Sequence, residues 1–234
     1  MAKILIIGFL AVLSSSLIIG LVSVQNKSKI DALEKSQDRG KLTWYAELAK
    51  AKGKQDITFH SGIIRYAVPR SLTEALAYYN VVVAQPVKTK SYAGIKDIQT
   101  WYKFRIDEEL STPSIPCPSC TVLGEIPVEM LPLEKGEFLV SQLAGEVMID
   151  GVRVISLDPK FPPFEVGKRY VLFMNFDDQK TVGFLRMGPW GTFALGPDEK
   201  LESIDKKLKH PVQEELENDL GDSLGRLRMR LKNH

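Results

Sequence analysis

Cys117 and Cys120 are the only cysteines in this 234-residue chain, and two residues separate them in "SIPCPSCT". A pair at this spacing admits three chemistries: thiol–disulfide exchange, half of a zinc site, or a local disulfide. Exchange needs the first cysteine at a helix N-terminus, where the dipole lowers the thiol pKa. The residues that follow, "TVLGEIPVEMLPLEKGE", carry Gly124, Pro127 and Pro132, which do not sustain a long helix. A structural zinc takes four ligands, and the three other soft ligands, His60, His210 and His234, lack ligand spacing. The expectation is an inert disulfide closing a small loop, contributing roughly 2 kcal/mol through chain entropy.

Other reactive constellations are weak. The sequence contains no G-x-S-x-G elbow, P-loop, G-x-G-x-x-G or H-E-x-x-H. His60-Ser61 is a lone pair. The carboxylates of Asp107–Glu109 and Asp177–Asp178 fall at a strand end and a turn, where solvation accounts for them. No catalytic residue, cofactor or metal is expected, and the chain reads as a non-enzyme. The formal charge of +2 comes without a basic stripe interleaved with aromatics, so no nucleic-acid partner is expected.

Location is the stronger signal. Residues 4–24, "ILIIGFLAVLSSSLIIGLVSV", contain no charge. As a helix they would be about 31 Å long, close to the ~30 Å of a bilayer's hydrocarbon core. The expectation is an uncleaved transmembrane anchor that places the following domain on the extracytoplasmic side. The alternative is a signal sequence cut near Ser14 and Ser16, which would release a secreted protein. Cysteines in such a compartment favour the disulfide reading.

Four segments follow from the pattern: the anchor or signal at 1–24, a charged juxtamembrane stalk at 25–55, a β domain at 56–200, and a helical segment at 201–234. The stalk holds eight Lys/Arg and four Asp/Glu. Within it, "KLTWYAELAKAK" predicts a short helix with Leu42, Tyr45 and Leu48 on one side and Gly53 at its end. In the β domain, "SLTE" at 71–74 is a capping box that predicts a short helix over Leu72–Tyr79, stopped at Asn80. "VVVAQPV" reads as a buried strand with Pro86 at an edge or bulge. In "DIQTWYKFRIDEEL", Ile98, Thr100, Tyr102, Phe104 and Ile106 alternate with a largely polar face. Trp101 falls on that polar face. It either packs under a loop or helix, or forms an exposed aromatic platform for a partner.

A proline-rich excursion from Ser111 to about Lys135 holds the cysteine pair, and long irregular loops are often functional. Three further hairpins are expected. One turns at Asp150-Gly151, one at "DDQK", and one involves "GTFAL" between Gly-Pro turns. Consecutive short strands predict a mainly β fold, an antiparallel barrel or sandwich of five to eight strands, with an OB-type barrel among the options. At the C-terminus, Val212, Leu216, Leu220, Leu224, Leu227 and Leu231 form the apolar stripe of one amphipathic helix that starts at Pro211. That stripe must be covered, either by the β domain itself or by a partner helix or second copy. A membrane surface under Arg226–Lys232 is the third option.

The order "SLTEAL…NVVVAQPV…IQTWYKFRIDEEL…PCPSC…GEVMIDGVRV…GKRYVLFMNF…GPWGTFALGPDEKL" resembles a family of uncharacterised exported or membrane-anchored bacterial β-domain proteins over about residues 70–201. That resemblance implies location and fold. The helix, the strand "NVVVAQPV", "IQTWYKFRI" and "GKRYVLF" also resemble the netrin-like module of tissue metalloproteinase inhibitors, an OB-type barrel. Those inhibitors chelate the protease zinc through an N-terminal cysteine. Both cysteines here lie mid-chain, so inhibition is not implied. The functional expectation is a membrane-anchored envelope module that binds a protein or glycan. A structural subunit joined through the C-terminal helix and a thiol–disulfide enzyme using Cys117 and Cys120 are the alternatives.

Overall fold

The structure, a computed structural model, describes residues 25–61, 66, 69–115, 126–205 and 210–232. Ile4–Val24 and both cysteines lie outside the described residues. Among those described, no helix is long and apolar enough to cross a membrane.

The chain forms two compact units. The larger comprises His60–Tyr92, Ile98–Gly145 and Ser156–His234. In chain order its elements are α2 (Leu72–Tyr78), β2 (Asn80–Ala93), β3 (Ile98–Ser111), β4 (Glu137–Gln142), β7 (Tyr170–Phe176), β8 (Val182–Phe184), β9 (Thr192–Leu195), β10 (Leu201–Ser203), α3 (Pro211–Leu220) and α4 (Leu224–Lys232). The sheet runs β10-β9-β7-β2-β3-β4-β8, and β8 also pairs with β7. Five strands therefore close on themselves as β2-β3-β4-β8-β7, a barrel and not a sandwich. The pairs β2–β7, β3–β4 and β7–β8 are antiparallel, whereas β4 and β8 run parallel.

Alternation along the strands builds two sides of this wall. Val82, Ala84, Tyr102, Phe104, Phe138, Val140, Leu172 and Met174 fill the interior. Their neighbours Val81, Val83, Val171 and Phe173 point outward and are equally buried, because α2, α3 and α4 cover that outer face with Leu72, Leu216, Leu220, Leu224 and Leu227. Burial on both faces explains why "VVVA" and "YVLFM" read as continuous apolar runs. The seam is at Gly183, which pairs with Val140 on one side and Phe176 on the other. A Cβ there would lie 1.8 Å from Met174 Cε and 3.1 Å from the Phe138 ring. A side chain at that point fits only if Met174 moves aside and the Phe138 ring gives slightly.

Several local signals have their expected counterparts in the structure. Ser71 Oγ accepts the Glu74 N–H at 3.1 Å and starts α2. The other arm of the capping box differs, since Glu74 Oε2 accepts from the Arg70 N–H and not from Ser71. Asn80 begins β2 instead of stopping a helix. Pro86 follows the last β2–β7 partner, Ala84, so its missing N–H costs that ladder nothing. The single C-terminal helix expected from the leucine stripe is two helices. Gly221 takes φ +57°, its N–H closes onto the Glu217 carbonyl, and the Asp222 carbonyl accepts from Leu201 at the start of β10. Leu201–Ser203, expected to be helical, is thus an edge strand that fixes the break.

The smaller unit comprises residues 25–59, 93–97 and 146–155 among those described. Residues 25–34 are helical, α1 spans Leu42–Ala51, and β1 (Asp56–His60), β6 (Val152–Leu157) and β5 (Gly145–Ile149) form a sheet in the order β1-β6-β5. Asp150 and Gly151 turn the β5–β6 hairpin with φ of +47° and +78°, the left-handed pair that a tight two-residue turn requires. The segment expected as a stalk is therefore packed. Leu42 and Leu48 are buried as expected, but Trp44 takes the third inward place and donates its indole N–H to the Leu33 carbonyl at 2.7 Å. Tyr45 instead stacks on Phe59, with ring centroids 4.4 Å apart.

Candidate binding cleft

The barrel unit carries a cleft of about 440 Å³ whose described lining is Thr73, Leu76, Ala77, Leu110, Ser111, Thr112, Ser114 and Leu231. Three elements build it. Helix α2, capped by Ser71, turns Leu72 and Ala75 into the core, which leaves Thr73, Leu76 and Ala77 for the cleft. The end of β3 supplies Leu110 and Ser111. The chain beyond it is tied back to α2, where the Ile115 N–H donates to the Ala77 carbonyl at 3.1 Å. Helix α4 adds Leu231.

Among the described residues the lining carries no charge. Four hydroxyls surround an aliphatic floor of Leu76, Ala77, Leu110 and Leu231. Among the described residues Ser111 Oγ is buried without a hydrogen-bond partner.

An ion cluster holds the α4 wall. Arg228 donates from Nε and Nη2 to Glu108 at 3.0 and 2.7 Å, and from Nη1 to Glu199 at 2.5 Å. Arg169 joins through Asp107 at 3.0 Å and Glu199 at 3.8 Å. Hydrogen bonds from Arg228 hold the Glu199 carboxyl below its ordinary value. The two carboxylates in turn push the Arg228 pKa further up, so the guanidinium is always charged.

The residues singled out from sequence fall elsewhere. Trp101 is 3% exposed and packs with Met130, Leu139 and Val182 beneath the turn at Val128–Met130. The exposed-platform reading is therefore corrected. Its face of β3 looked polar because Lys103 lies two residues away, yet Lys103 is itself folded against Glu137 and the Pro132 carbonyl. Leu216, Leu220, Leu224 and Leu227 pack on the barrel's own outer face, the first of the covers expected for the stripe, and this corrects the alternative in which they serve a partner helix. The apolar outer residues of β2, β7 and β9 need that cover. Leu231 alone reaches the cleft. Cys117 and Cys120 lie outside the described residues.

Sequence reasoning missed Thr73, Leu76, Thr112 and Ser114. The one available signal was the hydroxyl run in "STPS" directly after a strand, which reads equally well as the start of a loop. Among the described residues no three His, Cys, Asp or Glu side chains are placed to hold a metal ion. No family model matches the chain, and no curated protein or solved structure matches it either.

Proposed function

We propose that this chain is a non-enzymatic binding module of the cell envelope, anchored through residues 4–24, whose barrel domain takes a protein or glycan ligand at the Thr73–Ser114 cleft. The observation that carries the reading is the cleft itself, whose described lining sets hydroxyl side chains beside aliphatic ones and holds no charged residue. Small binding sites of this size are commonly apolar with a few convergent polar groups. We further read the barrel as OB-type. Strand order 1-2-3-5-4-1, with its one parallel pair between the third and fifth strands, supports that reading, and such barrels serve as binding scaffolds.

The test uses the full-length protein in nanodiscs on peptide and glycan arrays, followed by titration of whatever is retained. Ala77→Trp fills the cleft and is expected to weaken a retained ligand at least tenfold, while Ala77→Ser leaves it bound. Undiminished binding by the tryptophan variant would remove the cleft from the proposal. Chemical turnover of the bound ligand would overturn the non-enzymatic reading.

A further inference from the structure

Helix α3 starts on an unusual cap. His210 is 4% exposed, and its Nδ1 accepts the Val212 N–H at 3.2 Å. Its own backbone N–H donates to Gln213 Oε1 at 3.1 Å. These bonds form the two reciprocal arms of a capping box, with histidine in the place ordinarily taken by serine or threonine. Gln213 continues the chain of bonds, donating from Nε2 to Ser203 Oγ at 2.7 Å, and Ser203 donates to the Asp205 carbonyl at 2.9 Å. The imidazole lies flat on Trp190, with centroids 5.2 Å apart and planes 17° from parallel.

A hydroxyl cap does not titrate, but an imidazole cap does. Nδ1 accepts only when it carries no proton, so the cap exists only in the neutral ring, with its proton on Nε2. That nitrogen is buried without a hydrogen-bond partner among the described residues. A second proton would remove the acceptor from the helix and place a cation at the positive end of its dipole. It would also charge a ring that water does not reach.

Among the described residues, few charged groups could offset this. Glu214 lies on the same helix and favours the charged ring. Asp205 follows β10, but the Ser203 hydroxyl reaches its backbone carbonyl and not its carboxylate. The Gly188–Gly191 turn that carries Trp190 brings none. Burial outweighs them and holds the His210 pKa below its ordinary 6.5.

We propose that His210 is a proton-operated latch: protonation of its ring uncaps α3 and releases the α3–α4 pair from the outer face of the barrel. The neutral ring is the docked state. The folded form binds this proton less readily than the open form, so docking is complete above about pH 6.5 and weakens as the pH falls below it. Each pH unit in that window changes the opening equilibrium by at most about tenfold.

Hydrogen exchange of the full-length protein in detergent, at pH 7.5 and pH 5.0 and corrected for intrinsic rates, tests the latch. Amides of 212–220 are expected to gain severalfold to tenfold in exchange at pH 5.0 relative to those of β7. His210→Asn keeps a capping oxygen that does not titrate, and should abolish the difference while His60 and His234 remain. An equal gain in His210→Asn, or none in the wild type, overturns the proposal. Should that variant not fold, NMR titration of the wild-type ring decides. A midpoint below 6.5 that coincides with loss of the Val212 amide's protection supports the latch, and titration at or above 6.5 overturns it.

Discussion

Arg228, in the last helix, forks onto Glu108 of β3 across 120 positions of sequence. Its Nη2 lies 2.7 Å and its Nε 3.0 Å from the same carboxylate oxygen. The opposite edge of the guanidinium takes Glu199. This planar group ties α4 to the strand and turn beneath it, and through α4 it positions Leu231 at the cleft.

Replacing Arg228 with lysine should show how much of this depends on shape. Lysine keeps the charge but cannot serve two carboxylates along two edges. The site is partly solvated, so the expected loss is about 0.5–1.5 kcal/mol, towards the upper end for a charge network near a surface. For a chain of this size that is a fall of about 2–5 °C in melting temperature. Thermal unfolding of the single variant, and of a cycle with Glu108→Gln, measures the coupling directly.

The same cluster sets an acid dependence. Arg228 depresses the Glu199 pKa below its ordinary 4.5. The folded state therefore binds this proton less readily than the unfolded one. The contribution is complete above about pH 4.5 and is lost as the pH falls through the depressed value. Urea midpoints of wild type and Glu199→Gln should differ at pH 7, and the gap should shrink as the pH falls below about 4.5. A constant gap would show that the pair contributes by packing and not by charge.

At the barrel seam, Gly183→Val should cost about 1–3 kcal/mol, the usual range for overpacking a filled core. Alanine should cost less, because the atom it meets first is the flexible end of Met174. Chemical denaturation of both variants checks the order. A valine variant as stable as wild type would mean that β8 is not held between β4 and β7.

Trp101→Ala should remove about 3–5 kcal/mol, as for a large buried aromatic. Because the indole is covered by Met130 and Leu139, the loss should appear in stability. Ligand retained by the cleft should be unaffected once the variant is folded. Equilibrium unfolding and array binding on the same preparation separate the two effects.

Much of the local structure was written in short stretches of sequence. Ser71 with Glu74 marks a helix start. Asp150-Gly151 marks a tight turn because both residues adopt left-handed backbone. The alternation from Ile98 to Ile106 marks a strand with one face in the core. Each signal rests on neighbours within a few residues, where sterics and hydrogen bonds act without the rest of the chain. The leucine spacing after Pro211 likewise fixed which side of the C-terminal segment would be buried.

What only the tertiary structure decided depends on partners distant in sequence. Nothing in "TVGF" says that it will pair with β4 and β7 together, yet that double pairing closes the barrel. Gly221 could weaken a helix or end one, and the bond from Leu201 to the Asp222 carbonyl settles the choice. Trp101 stands among polar neighbours and is buried because a turn some 30 residues later folds over it. The cleft is the clearest case. Thr73, Ser111 and Leu231 come from three separate parts of the chain, and no periodicity records that they meet. Local sequence fixes backbone conformation and which face is apolar. Which apolar faces meet is settled by competition among all of them for the same burial, and that competition takes place only in the folded chain.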